Sequence, residues 1–287
     1  MPVQVVTDSV ASVPPEDLDK YGLEVVTLYV NDGVRHEADV DIDLDEFYRR
    51  LADLEHIPTS SQPSVESFVE TFGGAVRRGC DVVGVFISER MSGTVESALM
   101  AAEMVRAEQP SARIEIVDSR SNSMQEGFAA IAAAKAAQAG AALERCVEEA
   151  IATTKRTRYL FTPHTLEYLK KGGRIGTASA LLGTLLQIRP ILTVEDGETA
   201  TFAKVRTQGK ALSEMARQFG DDIREHGLRE VLVHYIADRE TAAAFAREAI
   251  EPIAGREVRV CPVSPVIGVH VGPAVAIVYE TESELRR

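Results

Sequence analysis

The clearest evidence for the fold is the stretch over residues 82–94, V-V-G-V-F-I-S-E-R-M-S-G-T. Its first six residues are glycine or apolar, and four of them are β-branched. The run ends at Ser88, and a helical pattern follows over residues 95–107. A short apolar run of this kind predicts a strand buried on both faces of a parallel sheet. Because ligands of such sheets gather beyond the carboxyl ends of the strands, Ser92-Gly93-Thr94 stands at a candidate site.

The same arrangement occurs twice more in the first 120 residues. Residues 3–6 lead to Thr7-Asp8-Ser9, and residues 114–117 lead to Asp118-Ser119. Helical patterns occupy residues 65–76 and 124–139. We therefore predict an α/β fold in which the three serine-bearing turns face one site.

The second half of the chain predicts a mixed sheet with helices. Strand-like runs over 190–195 and 199–206 flank Asp196-Gly197, a good hairpin signal. Further elements are expected in this half, with strands at 230–236, 256–261 and 274–280 and helices at 208–226 and 239–251. We place a domain boundary near residue 153. It separates an N-terminal domain, 1–153, with a mostly parallel Rossmann-like sheet from a C-terminal domain, 154–287, with a mixed sheet.

Composition limits the classes of protein to consider. The 287 residues are 45% hydrophobic and 26% charged, which is ordinary for a globular protein. The formal net charge of −13 argues against nucleic acid or an anionic membrane surface as the main partner. Three dispersed cysteines form no disulfide framework, and no signal peptide is recognisable, so we expect a soluble cytoplasmic monomer.

The uncharged stretch over residues 260–279 is nearly long enough to span a membrane. It contains Pro262, Pro265 and Pro273, which oppose a spanning helix. We interpret it as two short buried strands joined by a loop that carries His270. No stable membrane insertion is expected.

The alternating acids from Asp39 to Asp45 raise the question of a calcium loop. An EF-hand would require glycine and glutamate where Leu44 and Arg50 stand. We expect an extended edge whose acids face water, leading into a helix at Asp45. His56, His164 and His234 have no ligand spacing, so no metal site is predicted.

Three further segments each allow a structural and a functional interpretation. The hydroxyl-rich segment 58–64 is either a rigid loop whose Ser64 caps a helix or a neutral anion site. Ser92-Gly93-Thr94 either caps the next helix or offers its backbone N–H groups to an anion. His270, between two glycines, is either a core residue or close to a ligand. Lys170 and Lys171, before Gly172-Gly173, are either a solvated helix end or a docking patch for an acidic partner.

In chain order, these segments resemble the DegV family of bacterial lipid-binding proteins. No single motif is specific, but their shared order over almost the whole chain makes coincidence improbable. The matching motifs are T-D-S at 7–9, T-S-S-Q-P-S at 59–64, S-G-T at 92–94, V-D-S at 117–119, L-K-K-G-G-R-I at 169–175, R-P-I-L at 189–192, K-V-R-T at 204–207 and G-V-H-V-G-P at 268–273.

The resemblance implies a two-domain α/β protein that buries one long-chain fatty acid and carries no cofactor or catalytic residue. Such proteins serve as the binding subunit of a bacterial fatty acid kinase. A separate ATP-binding subunit phosphorylates the bound carboxylate, and the acyl phosphate enters phospholipid synthesis.

The resemblance also assigns roles to individual residues. It implies carboxylate contacts by Ser60 with its neighbour Thr59, by Ser92 with Gly93, and by His270. Two arginines, Arg174 and Arg206, correspond to basic residues that face the partner. Family members often continue K-V-R-T with more basic residues, whereas this chain has Gln208-Gly209 before Lys210, which leaves the kinase partner open.

Two alternatives belong to other classes of function. A serine hydrolase would use Ser92 as nucleophile and His270 as base, oriented by Asp8 or Asp118. Ser92 lacks the G-x-S-x-G context of a nucleophile elbow, which disfavours this alternative. A DNA-binding regulator is disfavoured by the net charge and by the lack of a helix-turn-helix pattern.

The walls of an acyl pocket are harder to predict, because core packing explains apolar residues equally well. The candidates are Ile175, Leu181, Leu182, Leu185, Ile188 and Ile191.

Overall fold

The structure is a computed structural model that describes residues 1–51, 57–182 and 188–285. Leu185 and His56, which the sequence singled out, lie outside these ranges. The N-terminal sheet is parallel, with strand order β2-β1-β6-β7, as the apolar runs predict. Its strands are β1 (Val3–Asp8), β2 (Glu24–Val26), β6 (Asp81–Phe86) and β7 (Ile114–Asp118).

Helices cover both faces of this sheet. All six residues of β6 are buried, which explains why its sequence is apolar without alternation. The helices are α1 (Pro15–Tyr21), α2 (Leu44–Leu51), α3 (Val65–Arg77), α4 (Thr94–Glu108), α5 (Ser123–Gln138) and α6 (Leu143–Arg156). As predicted, Ser64 caps α3, because its hydroxyl accepts a hydrogen bond from the Ser67 amide at 3.2 Å.

The C-terminal sheet has six strands in the order β10-β9-β8-β13-β11-β12, and only the β11–β12 pair is parallel. The strands are β8 (Thr157–Pro163), β9 (Arg189–Glu195), β10 (Glu198–Val205), β11 (Glu230–Ile236), β12 (Arg259–Pro262) and β13 (Ala274–Glu280). The helices are α7 (Glu167–Lys171), α8 (Gln208–His226), α9 (Arg239–Phe245), α10 (Glu251–Ala254) and α11 (Pro265–Val271). The hairpin predicted at Asp196-Gly197 joins β9 to β10.

The two sheets share one core. The alanine-rich helix α5 packs against β1 and β6 of the first sheet and against β8 and β13 of the second. Its small side chains permit this double contact, and one apolar cluster runs from Val5 through Phe128 to Phe161. The second sheet begins after α6, which ends at Arg156. A division into two domains at residue 153 stays a prediction, because the cluster crosses that line.

A small third sheet was not predicted. It is antiparallel with strand order β4-β3-β5, and each strand has three residues: β3 (Tyr29–Asn31), β4 (His36–Ala38) and β5 (Thr59–Ser61). Runs this short give no clear periodicity in a sequence. The sheet matters because β5 holds Ser60 in place.

Two expectations about local structure are wrong. His270 lies on α11 and not on a loop between strands, because Ser264 caps the helix and Pro265 stands at its first turn. Asp39 does not face water. It begins a short 3₁₀ turn, is only 3% exposed, and accepts a hydrogen bond from the Ser264 hydroxyl at 2.6 Å. Within the described ranges, no helix is long and apolar enough to cross a membrane.

Candidate functional site

A cavity of about 380 Å³ lies beyond the carboxyl ends of β6 and β7, where the first sheet faces the second. We call it the first cavity. Apolar side chains from both halves of the chain form its walls: Leu28, Ile87, Met91, Tyr159, Phe161, Leu169, Val266, Ile267 and Val271. Polar side chains complete the lining: Ser60, Ser61, Gln62, Ser92, Asn122, Arg174, Thr199 and His270. None of the described residues that line it is acidic, so the cavity suits an anion with an apolar body.

The Ser60 hydroxyl and the His270 imidazole form the centre of the polar lining. Ser60 Oγ lies 2.7 Å from His270 Nε2, although the two residues are 210 positions apart in the chain. Burial, with a smaller contribution from the nearby Arg174 charge, lowers the pKa of His270 to about 4. The imidazole is therefore neutral at pH 7 and carries one proton.

The surroundings of the ring indicate where that proton lies. His270 Nδ1 is buried and has no hydrogen-bond partner in the described part of the chain. Nε2 faces the Ser60 oxygen, so we place the proton on Nε2. Ser60 then accepts from His270, and its own O–H is left to donate to a ligand in the cavity.

Gly172 packs against the imidazole of His270 on the side of Nδ1. A β-carbon at this position would lie 2.3 Å from His270 Nδ1, far inside van der Waals contact. The glycine pair that follows α7 therefore has a packing reason. Without a side chain, Gly172 lets the ring reach Ser60.

Ser92 lies in the turn between β6 and α4. Its hydroxyl is 2.8 Å from the buried Thr94 hydroxyl and accepts a hydrogen bond from the Thr94 amide at 3.3 Å. The turn is tight, because the amides of Met91 and Ser92 both donate to the Ser88 carbonyl. Ser92 is thus held just before the start of α4 and also lines the cavity.

The resemblance implied that Gly93 and Thr59 contact a carboxylate, but their surroundings in the structure do not match that role. A β-carbon on Gly93 would lie 2.4 Å from the Gln62 side chain, and Gln62 donates to the Gly93 carbonyl and the Ser97 hydroxyl. Gly93 therefore lets the β5 segment close against α4. Thr59 is exposed, and neither residue is among the described residues that line the cavity.

The two arginines also differ. Arg174 lines the cavity and is exposed at its mouth, and its guanidinium donates to the carbonyls of Met91 and Gly172 at 3.0 and 2.7 Å. These two bonds fix a positive charge beside His270. Arg206 is exposed after the end of β10 and does not line the cavity.

The prediction that three serine-bearing turns share one site is wrong. The turns after β6 and β7 contribute Ser92 and Asn122 to the first cavity. Thr7-Asp8-Ser9, after β1, instead lines a separate cavity on the other side of that strand end. The predicted pocket walls are wrong as well: among the described candidates none lines the first cavity, and Ile191 lies in the core on the far face of the second sheet.

Sequence reasoning missed Asn122. Its amide donates to Met91 Sδ at 3.2 Å, while its carbonyl oxygen is buried without a partner in the described chain. Around it, Arg120 and Ser123 have φ values of 52° and 54°, in the left-handed region that is uncommon for residues other than glycine. Such strain clusters at binding sites, but it leaves no pattern in a sequence.

The geometry disfavours a catalytic triad. His270 Nε2 pairs with Ser60 and not with Ser92, and Nδ1 has no acceptor in the described chain. Asp8 is bound instead to the amides of Val10 and Ile87 at 2.9 Å each. A nucleophile, base and orienting acid in series are therefore not assembled here. Among the described residues, no group of three or more potential metal ligands is found.

These features describe an α/β protein with an apolar cavity whose polar end suits an anion. The chain belongs to the DegV family: residues 2–282 match the family model described as "Uncharacterised protein, DegV family". A DegV domain-containing protein of Clostridium acetobutylicum is 42% identical over the full length of both chains. Another, from Streptomyces coelicolor, is 34% identical over 95% of this chain and 96% of its own.

Solved structures share the fold over nearly the whole chain. A fatty-acid-binding DegV family protein from Thermus thermophilus superposes with a TM-score of 0.86 at 29% identity, covering 98% of this chain and 100% of that one. A stearic-acid-binding protein from Eubacterium ventriosum gives 0.89 at 27% identity, with 98% of both chains covered. A fatty-acid-binding DegV protein from Bacillus subtilis gives 0.87 at 28% identity, covering 98% and 99%.

Proposed function

We propose that this protein binds one long-chain fatty acid in the first cavity and holds the carboxylate at Ser60, Ser92 and His270. One observation carries the proposal: an apolar cavity ends in the half-buried Ser60–His270 pair, with no acidic side chain among the described residues that line it. The fatty-acid-binding relatives of the same fold support it.

The two ends of the ligand contribute different amounts of binding free energy. Burial of about 14 methylenes at ~0.8 kcal/mol each gives at most roughly 11 kcal/mol. One hydrogen bond to a charged carboxylate contributes about 1.5–3 kcal/mol. The acyl chain therefore supplies most of the affinity, and the polar groups orient the carboxylate.

The finer part of the proposal is presentation of the carboxylate to a separate ATP-dependent kinase subunit. The Ser60 and Ser92 hydroxyls hold the carboxylate without a full counter-charge, so its oxygens stay nucleophilic, and the neutral imidazole orients Ser60 by donating to it. Arg174 lies at the mouth and is exposed. There it is available to an incoming phosphoryl group or an acidic surface. The protein itself supplies no catalytic residue and carries the fatty acid or the acyl phosphate for phospholipid synthesis.

The first experiment is native mass spectrometry of protein purified without added lipid, followed by extraction and identification of the lipid. We expect one C14–C18 fatty acid per chain. An empty protein that also takes up no added fatty acid would contradict the binding function.

A second experiment tests presentation. The loaded protein is incubated with a purified bacterial fatty acid kinase ATP-binding subunit and ATP, and acyl phosphate is trapped with hydroxylamine. Product that requires both proteins supports presentation. If binding is intact but no kinase subunit yields product, the carrier role is wrong while the binding role stands. Ester hydrolysis by the chain alone, lost in Ser92→Ala, would favour the hydrolase instead.

A further inference from the structure

A polar pocket of about 300 Å³ lies where helices α1 and α5 meet the second sheet. Residues around the starts of β11 and β12 and the end of β13 form its other walls. Among the described residues, it shares none of its lining with the first cavity or with the cavity at the end of β1, which we call the second cavity. We call this third site the basic pocket, because four cations line it: Lys20, Lys135, Arg229 and Arg259.

Three carboxylates also line the basic pocket, and each already has an arginine partner. The ion pairs are Asp17 with Arg259 at 2.7 Å, Glu280 with Arg156 at 3.1 Å and Glu230 with Arg256 at 3.5 Å. Arg259 also lies 3.4 Å from Glu16, whereas the other two arginines approach from outside the described lining. The carboxylates are therefore neutralised largely without the remaining cations of the pocket, although the chain as a whole has a formal net charge of −13.

The remaining cations are Lys20, Lys135 and Arg229. The two ammonium nitrogens lie 4.9 and 5.3 Å from the centre of the Tyr21 ring, and neither forms an ion pair with a carboxylate of the described chain. Arg229 is 3.9 Å from a Glu280 oxygen that is already paired at 3.1 Å, so it is the second arginine on one carboxylate. Contact with an aromatic face is a weak interaction for an ammonium group at an exposed site. Three cations from separate segments thus converge on the pocket without a carboxylate of their own.

We propose that the basic pocket binds a phosphate group, either free or on a small organic ester, through Lys20, Lys135 and Arg229. A phosphate dianion offers two negative charges and several acceptor oxygens, which suit two ammonium groups and the fork of a guanidinium. A carboxylate offers one charge and two oxygens, so it would satisfy fewer of these donors. All three side chains are exposed, so a dissolved ligand can reach them.

The test measures how fast the lysines of the purified full chain react with an acetylating reagent, sulfo-NHS-acetate. Peptide mass spectrometry follows the modification of each lysine. Lys210 is exposed in the first turn of α8, lies outside the described lining of the basic pocket and serves as an internal control. The added probes are inorganic phosphate, phenyl phosphate and acetate, and sodium chloride keeps the ionic strength constant. The signal is local, so it does not depend on whether the first cavity binds fatty acid.

We expect inorganic phosphate at ten times its dissociation constant to slow the acetylation of Lys20 and Lys135 about tenfold, while Lys210 is unaffected. Acetate protects much less. Stronger protection by phenyl phosphate than by inorganic phosphate at equal concentration assigns the site to an organic ester, and equal or weaker protection assigns it to free phosphate. Equal slowing at Lys210, equal protection by acetate, or no protection by either phosphate probe up to millimolar concentration would overturn the proposal.

A matched pair of variants tests the role of the cations. Lys135→Gln removes one positive charge, and we expect it to raise the phosphate concentration that protects Lys20 about tenfold. Lys210→Gln makes the same change outside the pocket and is expected to have no effect. An equal result for the two variants, whether a loss or no change, contradicts a phosphate site at Lys135. If Lys135→Gln does not fold, the comparison of the three probes on the unaltered chain still decides.

Discussion

The two cavities differ in their polar groups far more than in size or in apolar character. The first, beyond β6 and β7, is lined by hydroxyls, amides, a neutral histidine and an arginine. The second, of about 490 Å³ at the end of β1, is lined by hydroxyls and by the carboxylates of Asp8, Glu16 and Asp39. Each lies at the carboxyl end of a strand of the same parallel sheet, where the fold places ligands. The parallel sheet therefore determines where the cavities form, while a few side chains in the turns determine the charge of the ligand that each cavity can accept.

The largest change in fatty acid affinity is expected when a carboxylate is placed in the first cavity. Asn122→Asp changes an amide to an acid of nearly the same shape, beside the proposed fatty acid carboxylate. We expect fatty acid affinity at pH 8 to fall about 100-fold, because two like charges a few ångströms apart repel by about 3 kcal/mol at an effective dielectric constant near 20.

This change is measured by competition with a fluorescent fatty acid. The control is Asn31→Asp, which makes the same substitution at the exposed end of β3. Unchanged affinity of Asn122→Asp would show that the head group does not lie near this end of the cavity.

A second change moves the imidazole without altering any polar group. Gly172→Ala places a methyl group 2.3 Å from His270 Nδ1, so the ring has to leave Ser60. We expect kinase-dependent acyl phosphate formation to fall by about tenfold or more, because misplacement by an ångström strongly reduces phosphoryl transfer. The measurement is the hydroxylamine assay on the loaded protein.

Gly220→Ala is the matched control for that variant, because a β-carbon there makes only ordinary contacts at 3.6 Å. If Gly172→Ala presents the fatty acid at the normal rate, the position of His270 is not required for presentation.

The hydroxyls are expected to have smaller effects on binding than on presentation. Ser60→Ala or Ser92→Ala removes one hydrogen bond to the carboxylate, worth about 1.5–3 kcal/mol, and leaves the acyl chain buried. Both variants should still copurify with lipid at one per chain, but they should be phosphorylated more slowly. Loss of the copurifying lipid from a folded variant would show that the head group, and not the chain, supplies the affinity.

Buried acids near the second cavity make the stability of the folded protein depend on pH. Burial is the main cause that raises the pKa of Glu126 well above its usual value and that of Asp8 to about 7. The negative charge of Asp8 adds to the rise of the Glu126 pKa, and the negative charge of Asp39 adds to the rise of the Asp8 pKa. The folded protein keeps protons that the unfolded chain loses above pH 4 to 4.5. These groups therefore make stability fall as pH rises, from about pH 4 to 7 for Asp8 and further for Glu126.

Glu126→Gln tests this effect, because glutamine resembles the protonated acid. We expect the variant to gain on the order of 1–2 kcal/mol in stability relative to the unaltered chain between pH 5 and pH 8. Urea unfolding at both pH values measures it. Glu115→Gln, on an exposed carboxyl, should show no such gain. A difference between chain and variant that is the same at both pH values would contradict the assignment of a buried, protonated Glu126.

The parallel sheet and much of the first cavity could be predicted, because their signals are local. The run of glycine and apolar residues over 82–87 predicts β6. Ser92 follows that strand at the edge of the sheet where ligands bind. Ser60 and His270 were named from motifs, but their 2.7 Å contact joins segments 210 residues apart and has no signature in either one. The helix that carries His270 was missed although Ser264-Pro265 is a good helix start, because the valines that follow favour a strand.

The acidic character of the second cavity was missed for a different reason. Asp39 stands in a run of alternating acids, and such runs are usually solvated. Only its neighbours in space, Ser9 and Ser264, make it a buried residue. Long-range contacts of this kind decide which member of a run of similar residues is buried.

Helix α11 has one end at each cavity. Ser264, at its start, donates to Asp39, while His270, in its last turn, contacts Ser60, and the Tyr48 hydroxyl holds the segment before the helix through the Val263 carbonyl. Seven residues of helix span about 10 Å, so a small shift at one end reaches the other almost undiminished. Displacement of Ser264 from Asp39 would therefore also move His270 relative to Ser60.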